Sequence, residues 1–135
     1  MLNPSTADAV ADDPTIRRCT RFGREAGYGG VLIGNLFAWR ASDPTELLEI
    51  TEPVGPDNDV ALAAVLDAMP TVVCAWGNRG TYLNRGLEVL GMFARRRRVP
   101  YCLKMTQMGH PAHPLYLSSG LRPIPWRYSG VDSRG

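Results

Sequence analysis

The stretch VLIGNLF at residues 31–37 decides the fold class, because it is short, apolar and free of charge. Such a run is typical of a strand buried inside a sheet. Two later runs are also rich in β-forming residues, TVVCAW at 71–76 and YCLKM at 101–105. Helical patterns separate the three runs, and strands that alternate with helices pair in parallel through right-handed crossovers. The sequence therefore predicts an α/β fold with a mostly parallel central sheet.

Sequence patterns typical of helices precede and follow the three strand candidates. An aspartate followed by a proline at 13–14 predicts a helix from about Pro14 to Ala26, and the same pair at 43–44 predicts a short helix. Gly55-Pro56 precedes a third helical pattern, and a fourth runs from about Thr81 to an arginine run at 95–98. Each strand candidate therefore has a helix candidate before or after it.

Length and composition bound the organisation of the chain. Its 135 residues are 44% apolar and 21% charged, which is typical of one globular domain. We predict a single domain over 1–118 and an irregular tail over 119–135, where glycine, proline and serine are frequent and no periodicity is found.

The same composition bears on the cellular compartment of the protein and on whether it binds a membrane. No apolar run is long enough to cross a membrane, and three cysteines without a C-x-x-C pair argue against a disulfide framework. We therefore predict a cytoplasmic protein with no membrane partner. The sequence leaves the oligomeric state open.

The start of the chain lacks an expected element. A doubly wound fold normally opens with a strand, yet Met1-Leu2 leads directly into NPST at 3–6, which is loop and cap chemistry. We therefore expect an apolar, β-rich segment of about five to eight residues to precede Met1.

Polar and aromatic residues follow the predicted strands. In parallel α/β sheets, ligands bind beyond the carboxyl ends of the strands, so these residues are predicted to share one rim. Asn35 and His113 in particular are predicted to face one pocket. The candidates are Asn3 and Asp8 after the absent opening strand, Asn35, Phe37 and Arg40 after the first run, Trp76 after the second, and His110, His113 and Tyr116 after the third.

The two histidines admit several roles. Each precedes a proline, and each could act as a general acid, an anion stabiliser or a donor to a carbonyl oxygen, or simply cap a turn. A zinc site with Cys102 is conceivable, but that cysteine lies within a strand and no fourth ligand is suitably spaced. We predict no metal and no organic cofactor.

The arginine run at 95–98 has two interpretations. Cations at the C-terminus of a helix complement the helix dipole and are usually solvated. Guanidinium groups also bind phosphate, and Lys104 is the only lysine, so positive charge is almost entirely arginine. A nucleic-acid contact at this run is therefore the alternative.

Five blocks carry a resemblance to a known family. They are LNPSTAD at 2–8, DPT at 13–15, GNLFA at 34–38, AWG at 75–77 and HPLY at 113–116. These blocks resemble a bacterial and phage family catalogued as domain of unknown function 1643. Its members usually carry a strand ahead of the first block, which implies that this chain is short at its N-terminus.

A more distant likeness is to the uracil-DNA glycosylase superfamily. Those enzymes have a proline-containing water-activating loop after the first strand, an asparagine that ends an apolar strand, a strand that closes in W-G, and a late H-P-x-P-L or similar loop. Asn3-Pro4, residues 31–35, residues 72–77 and HPL at 113–115 follow that order. The likeness implies a three-layer α/β/α fold that lacks its first strand.

The same likeness implies roles for individual residues. Asn3 would position water, Asn35 would read a base edge, and His113 would donate a hydrogen bond to the departing base. Phe37 is a base-stacking candidate, and His110 competes with His113 for the histidine role. A base within a duplex would have to be flipped into the pocket.

Three functional hypotheses follow. The leading one is a pocket that binds a nucleobase, nucleotide or nucleic acid and hydrolyses an N-glycosidic bond without metal. The first alternative is the same pocket as a binding module without turnover. The second is a phosphate-directed hydrolase that uses Asp8, Arg17, Arg40 and His113.

Overall fold

The computed structural model describes residues 1, 14–37, 44–49 and 52–127 of the chain. Three α-helices lie in the described ranges: α1 at Pro14–Glu25, α2 at Asn58–Ala68 and α3 at Arg85–Arg95. Short 3-10 helices cover Pro44–Glu49, Asn78–Asn84 and Pro114–Tyr116. Two short strands, β1 at Tyr101–Cys102 and β2 at Ile124–Pro125, complete the order.

Helix α1 confirms the helix predicted from the proline at position 14. Proline is favourable in the first turn, because the N–H it lacks would have no helical partner there. Phe22 is buried on this helix, and Gly27 follows its end with a φ of 91°. That left-handed conformation suits glycine and stops the helix close to the predicted end.

Helix α3 begins later than the sequence pattern predicts. The expected start was about Thr81, but Leu83 and Asn84 adopt φ values of 53° and 56°. A right-handed helix cannot pass through two residues with left-handed backbone. The residues before Arg85 therefore form a 3-10 turn with a kink, and the α-helix starts only after it.

The strand pairing centres on β1. This strand pairs with β2 in antiparallel register, with Tyr101 opposite Pro125 and Cys102 opposite Ile124. Val73, in the second predicted strand, forms a parallel bridge to Tyr101 on its other side. The segment predicted to be an irregular tail thus supplies β2. Its prolines at 123 and 125 hid it, because proline is rare in strands and is confined to edges.

The first predicted strand, 31–37, is not a regular strand in the structure, and Val31 and Leu32 are exposed rather than buried. Its backbone pairs with the first residue of the chain. The Leu36 N–H donates to the Met1 carbonyl oxygen at 2.9 Å, and the Met1 amine donates to the Gly34 carbonyl oxygen at 3.2 Å. These two bonds on either side of Asn35 have the pattern of a parallel ladder. Within the described ranges, no backbone hydrogen bond joins 31–36 to 71–76.

The core brings together aromatic residues from distant parts of the chain. Trp76 and Trp126 pack edge to face, with ring centroids 5.6 Å apart and planes at 78°. Trp126 is only 4% exposed although it lies in the segment predicted to be a tail. Phe37 is fully buried and packs against Tyr82 at 5.7 Å.

A large apolar cavity of about 390 Å³ lies beside these aromatics, between 31–36, 71–76 and the three helices. Apolar side chains from all three helices line it, among them Phe22, Leu62 and Phe93.

The helices give one result about membranes. Among the residues that the structure describes, no helix is long and apolar enough to cross a bilayer.

The three-layer arrangement with a mostly parallel sheet stays a prediction.

Candidate functional site

The histidine loop lies across the ends of the second and third strand candidates. The Gly77 N–H donates to the Pro111 carbonyl oxygen at 2.7 Å, and the Ala112 N–H donates to the Lys104 carbonyl oxygen at 2.8 Å. Met105 and Pro111 also form an antiparallel bridge. Residues 76–78, 104–106 and 109–113 therefore form one surface, which we call the rim.

Thr106 fixes the position of His110 on the rim. The Thr106 N–H donates to the His110 carbonyl oxygen at 2.7 Å, and the Thr106 hydroxyl accepts from the His110 N–H at 3.2 Å. The same hydroxyl donates to Asn78 Oδ1 at 2.7 Å. Two of these hydrogen bonds join Thr106 to His110, and the third joins Thr106 to Asn78 in the turn after Trp76.

A second, smaller cavity of about 140 Å³ lies beside His110, and we call it the rim cavity. His110 is 8% exposed, so its imidazole is buried at the cavity wall. Most of the wall is apolar, with a few polar groups. The lining residues are Trp76, Gly80, Thr81, Asn84, Gly86, Leu87, Leu90, His110 and Trp126.

Two glycines allow the chain to approach the Trp76 ring. A Cβ at Gly80 would lie 2.1 Å from Trp76 Cδ1 and 2.5 Å from Nε1, and a Cβ at Gly86 would lie 3.2 Å from Nε1. Both glycines line the rim cavity, so the edge of the indole that carries its N–H borders that cavity. Among the described residues, none accepts a hydrogen bond from this N–H. The Trp126 N–H, in contrast, donates to the Gly109 carbonyl oxygen at 2.9 Å.

The rim cavity is also bordered by strained backbone. Asn84 lines it and has a left-handed conformation, which asparagine tolerates better than most residues. Leu83 beside it has the same conformation without that tolerance. Strain of this kind costs of the order of 1–3 kcal/mol and is concentrated at functional sites.

His113 has a defined tautomer when it is neutral. Its Nδ1 accepts a hydrogen bond from the Leu115 N–H at 3.3 Å and caps the 3-10 helix Pro114–Tyr116. An accepting Nδ1 carries no proton, so the proton of the neutral ring is on Nε2. Nδ1 of the neutral ring therefore caps the 3-10 helix, and Nε2 carries the N–H group.

Asn35 lies at the large cavity and not at the rim cavity. Its side chain is half-buried, and Asn58 Nδ2 holds the end of its segment by donating to the Asn35 and Leu36 carbonyl oxygens at 2.9 and 2.8 Å. Trp76 lines both cavities, whereas His113 lines neither. Asn35 and His113 therefore share neither of these two cavities.

The remaining candidate site residues lie in the core, in a 3-10 helix or outside the described residues. Phe37 is a core residue packed on Tyr82, which leaves no exposed face for a base to stack on. Tyr116 lies in the 3-10 helix after His113. Asn3, Asp8 and Arg40 lie outside the described residues.

The arginine run holds α2 against the end of α3. Arg96 Nε donates to Asp67 Oδ1 at 2.7 Å, and Arg98 donates to the carbonyl oxygens of Leu66, Met69 and Pro70. A cation at these carbonyls complements the dipole of α2. Arg95 and Arg97 are exposed and remain candidates for phosphate contacts.

Thiol chemistry is suppressed at two of the three cysteines. Burial raises the pKa of the Cys74 thiol to about 12, and burial also raises the pKa of the Cys102 thiol. The thiolate is the nucleophile and the metal ligand, so burial disfavours the reactive form of both residues. In the described part of the chain, no group of three or more His, Cys, Asp or Glu side chains is placed to hold a metal ion.

A family model described as "Protein of unknown function (DUF1643)" matches residues 1–115. The chain belongs to the DUF1643 family. Neither the curated proteins nor the solved structures gave a match. The match contains the DUF1643 rim but ends before Trp126, which completes the rim cavity.

Sequence reasoning missed several residues of this DUF1643 cavity. Trp126 was assigned to an irregular tail, although a lone tryptophan in a tail rich in Pro and Gly is itself a sign of burial. Gly80 and Gly86 carried no sequence signal, because their role depends on how residues 78–86 fold back onto the Trp76 ring. The buried Arg85 was equally invisible, since arginine is rarely buried.

Proposed function

We propose that the rim cavity binds one nucleobase, in the manner of a uracil-DNA-glycosylase-like pocket. One observation carries the proposal: the Trp76 indole N–H and the His110 imidazole border the same largely apolar cavity. A flat heterocycle with hydrogen-bonding groups on its edge requires this combination of apolar walls and a few polar groups.

The volume of the cavity supports a small ligand. Pockets for drug-sized molecules measure about 300–1,000 Å³. At about 140 Å³, the rim cavity accommodates a single small ring system and not a whole nucleotide. The sugar and phosphate of a nucleotide or a nucleic acid would therefore lie outside it, on the rim.

The polar groups suit a base edge. The Trp76 N–H is a donor, and the Asn84 amide is both donor and acceptor. A carbonyl oxygen and an adjacent ring nitrogen of a base present complementary groups. The Thr106 hydroxyl, which accepts from the His110 N–H and donates to Asn78 Oδ1, holds the backbone of His110 in place.

His110 supports a catalytic extension of the proposal, because it lines the rim cavity and His113 does not. In N-glycosidic hydrolysis, water adds to the sugar C1′, the C1′–N bond breaks with its electron pair going to the base, and the proton that the water loses ends on the departing base. A hydrogen bond from the His110 ring to the departing base would stabilise its developing negative charge. One such donor is worth about 10²–10³ in rate.

The assay uses oligonucleotides that contain uracil, hypoxanthine or a mismatch, incubated with chelator and then treated with alkali to reveal abasic sites. We expect cleavage at one of these bases and a rate about 10²–10³ lower in His110→Ala. Arg24→Ala, an exposed change on α1, is the matched control and should keep the wild-type rate.

Two results would change the proposal. Saturable base binding without product would support the non-catalytic module and remove the glycosylase. Equal losses in His110→Ala and His113→Ala would contradict the division of roles between the two histidines.

A further inference from the structure

The rim cavity lies against the first turn of α3. Gly86 and Leu87, the second and third residues of that helix, both line the cavity. The N–H groups in the first turn of a helix have no acceptor within the helix, and the helix dipole places partial positive charge there. The wall of the rim cavity therefore includes the electropositive end of an 11-residue helix, which is an environment that favours anions.

The side chain at the N-cap of α3 leaves these N–H groups uncapped. Asn84 holds the N-cap position, where an asparagine normally has extended backbone and accepts from the N–H of the second or third helical residue. Here the backbone of Asn84 is left-handed, with φ 56° and ψ 24°, and its side chain makes no cap hydrogen bond. The acceptor that Asn84 does not supply to the first turn can come from a ligand.

The Trp76 indole N–H is a second, independent donor at the same place. Trp76 is only 5% exposed, and within the described part of the chain its N–H has no acceptor. A Cβ at Gly86 would lie 3.2 Å from Trp76 Nε1, so this N–H and the first turn of α3 border the same space. A buried N–H without an acceptor is costly, and it indicates an acceptor atom that enters the cavity.

The charges near the cavity also favour an anion. Among the described residues that line it, none is acidic. Glu88 in the first turn of α3 and Asp59 both pair with the buried guanidinium of Arg85, at 2.9 and 2.8 Å, which offsets their negative charge. Arg79 is exposed and adjoins the lining residue Gly80. Hydrogen bonds to a charged acceptor are about twice as strong as those to a neutral one, so these donors favour a negatively charged oxygen.

We propose that the start of α3 and the Trp76 N–H form an oxyanion subsite of the rim cavity, and that the ligand carries a negatively charged oxygen. This inference rests on the proposed function, because the oxygen belongs to the ligand of that same cavity. The ligand class is a flat, acidic ring compound whose charge lies on a ring oxygen or on an attached carboxylate. At about 140 Å³, the cavity accommodates one such ring.

The test compares two pairs of flat ligands, each pair with one member that is an anion at neutral pH and one that is neutral. Barbiturate and uracil are the heterocyclic pair, and benzoate and benzamide are the pair that contains no base. The readout is the Trp76 indole N–H resonance, with the Trp126 resonance, whose N–H is bonded to Gly109, as the reference. We expect each anion to bind more tightly than its neutral counterpart by about tenfold or more.

Asn84→Asp adds a negative charge at this subsite without changing its shape. Aspartate is a favourable N-cap residue and tolerates left-handed backbone, so the variant should fold. We expect the affinity for the anions to fall by about tenfold and the affinity for the neutral ligands to change by less than about threefold. Gln107→Glu makes the same charge change at an exposed residue that lines neither cavity, and it is the matched control.

The outcomes separate this inference from the proposed function. Equal affinities of anions and neutral ligands, or equal effects of Asn84→Asp and Gln107→Glu, would overturn the oxyanion subsite and leave the nucleobase proposal standing. Binding of benzoate without either heterocycle would support the subsite and remove the nucleobase. A preference for the anion in the heterocyclic pair alone would support both. If none of the four ligands bound, both would be overturned.

Discussion

Gly80→Ala is expected to destabilise the protein by about 3 kcal/mol and to abolish base binding. The new Cβ would lie 2.1 Å from Trp76 Cδ1 and 2.9 Å from Cγ, which is far inside any tolerated contact. Trp76 is buried against Trp126 and has little room to move. Either the ring or the turn at 78–84 must shift, and each shift deforms the rim cavity.

The measurement is thermal unfolding with near-UV circular dichroism. A loss of about 3 kcal/mol lowers the Tm of a domain of this size by about 10 °C. Gly29→Ala is the matched control, since nothing lies within 4 Å of a Cβ there. Wild-type Tm and unchanged aromatic dichroism in Gly80→Ala would show that the glycine does not pack on the indole.

Arg85→Ala is expected to cost about 3 kcal/mol through lost packing and a lost hydrogen bond. Arg85 is 2% exposed, and its Nε donates to the Leu36 carbonyl oxygen at 3.0 Å. Its other nitrogens pair with Asp59 at 2.8 Å and Glu88 at 2.9 Å. Both carboxylates are exposed, so these ion pairs contribute less than the buried contacts.

Denaturant unfolding of two further variants separates the contributions. Arg85→Met keeps much of the side-chain packing and should cost about 1–2 kcal/mol, close to the price of the hydrogen bond to Leu36. Arg95→Ala, an exposed change at the other end of α3, should stay within about 0.5 kcal/mol of wild type. If Arg85→Ala were as stable as Arg95→Ala, the buried arginine would not anchor α3 to residues 36–37.

Local signals predicted the helices better than the strands. The proline at position 14 determines where α1 begins, because proline suits a first turn wherever it occurs. The start of α3 could not be predicted in the same way. Leu83 and Asn84 are left-handed because the turn before them packs on Trp76, which is a contact made in three dimensions.

The strands depend on partners that are distant in sequence. VLIGNLF at 31–37 was predicted to be a buried strand, but no regular strand forms there, Val31 and Leu32 are exposed, and its backbone pairs with Met1. β2 was missed because Ile124–Pro125 has neither length nor alternation, and only its pairing with β1 makes it a strand.

The candidate site was predicted in part. The sequence placed Trp76 and the histidine loop after neighbouring strands, and the rim joins them through Gly77 and Pro111. It did not predict that Trp126 would complete the cavity, or that Phe37 would be buried on Tyr82. Those outcomes depend on how side chains pack, which periodicity does not encode.

The most direct test of base binding is the indole N–H resonance of Trp76 during titration with uracil, hypoxanthine and adenine as free bases. The Trp126 N–H, already bonded to Gly109, is the internal reference. If a base enters the rim cavity, the Trp76 resonance shifts with saturation while the Trp126 resonance moves less. Titrations in which neither resonance shifts, or both shift equally and without saturation, would contradict nucleobase binding at this site.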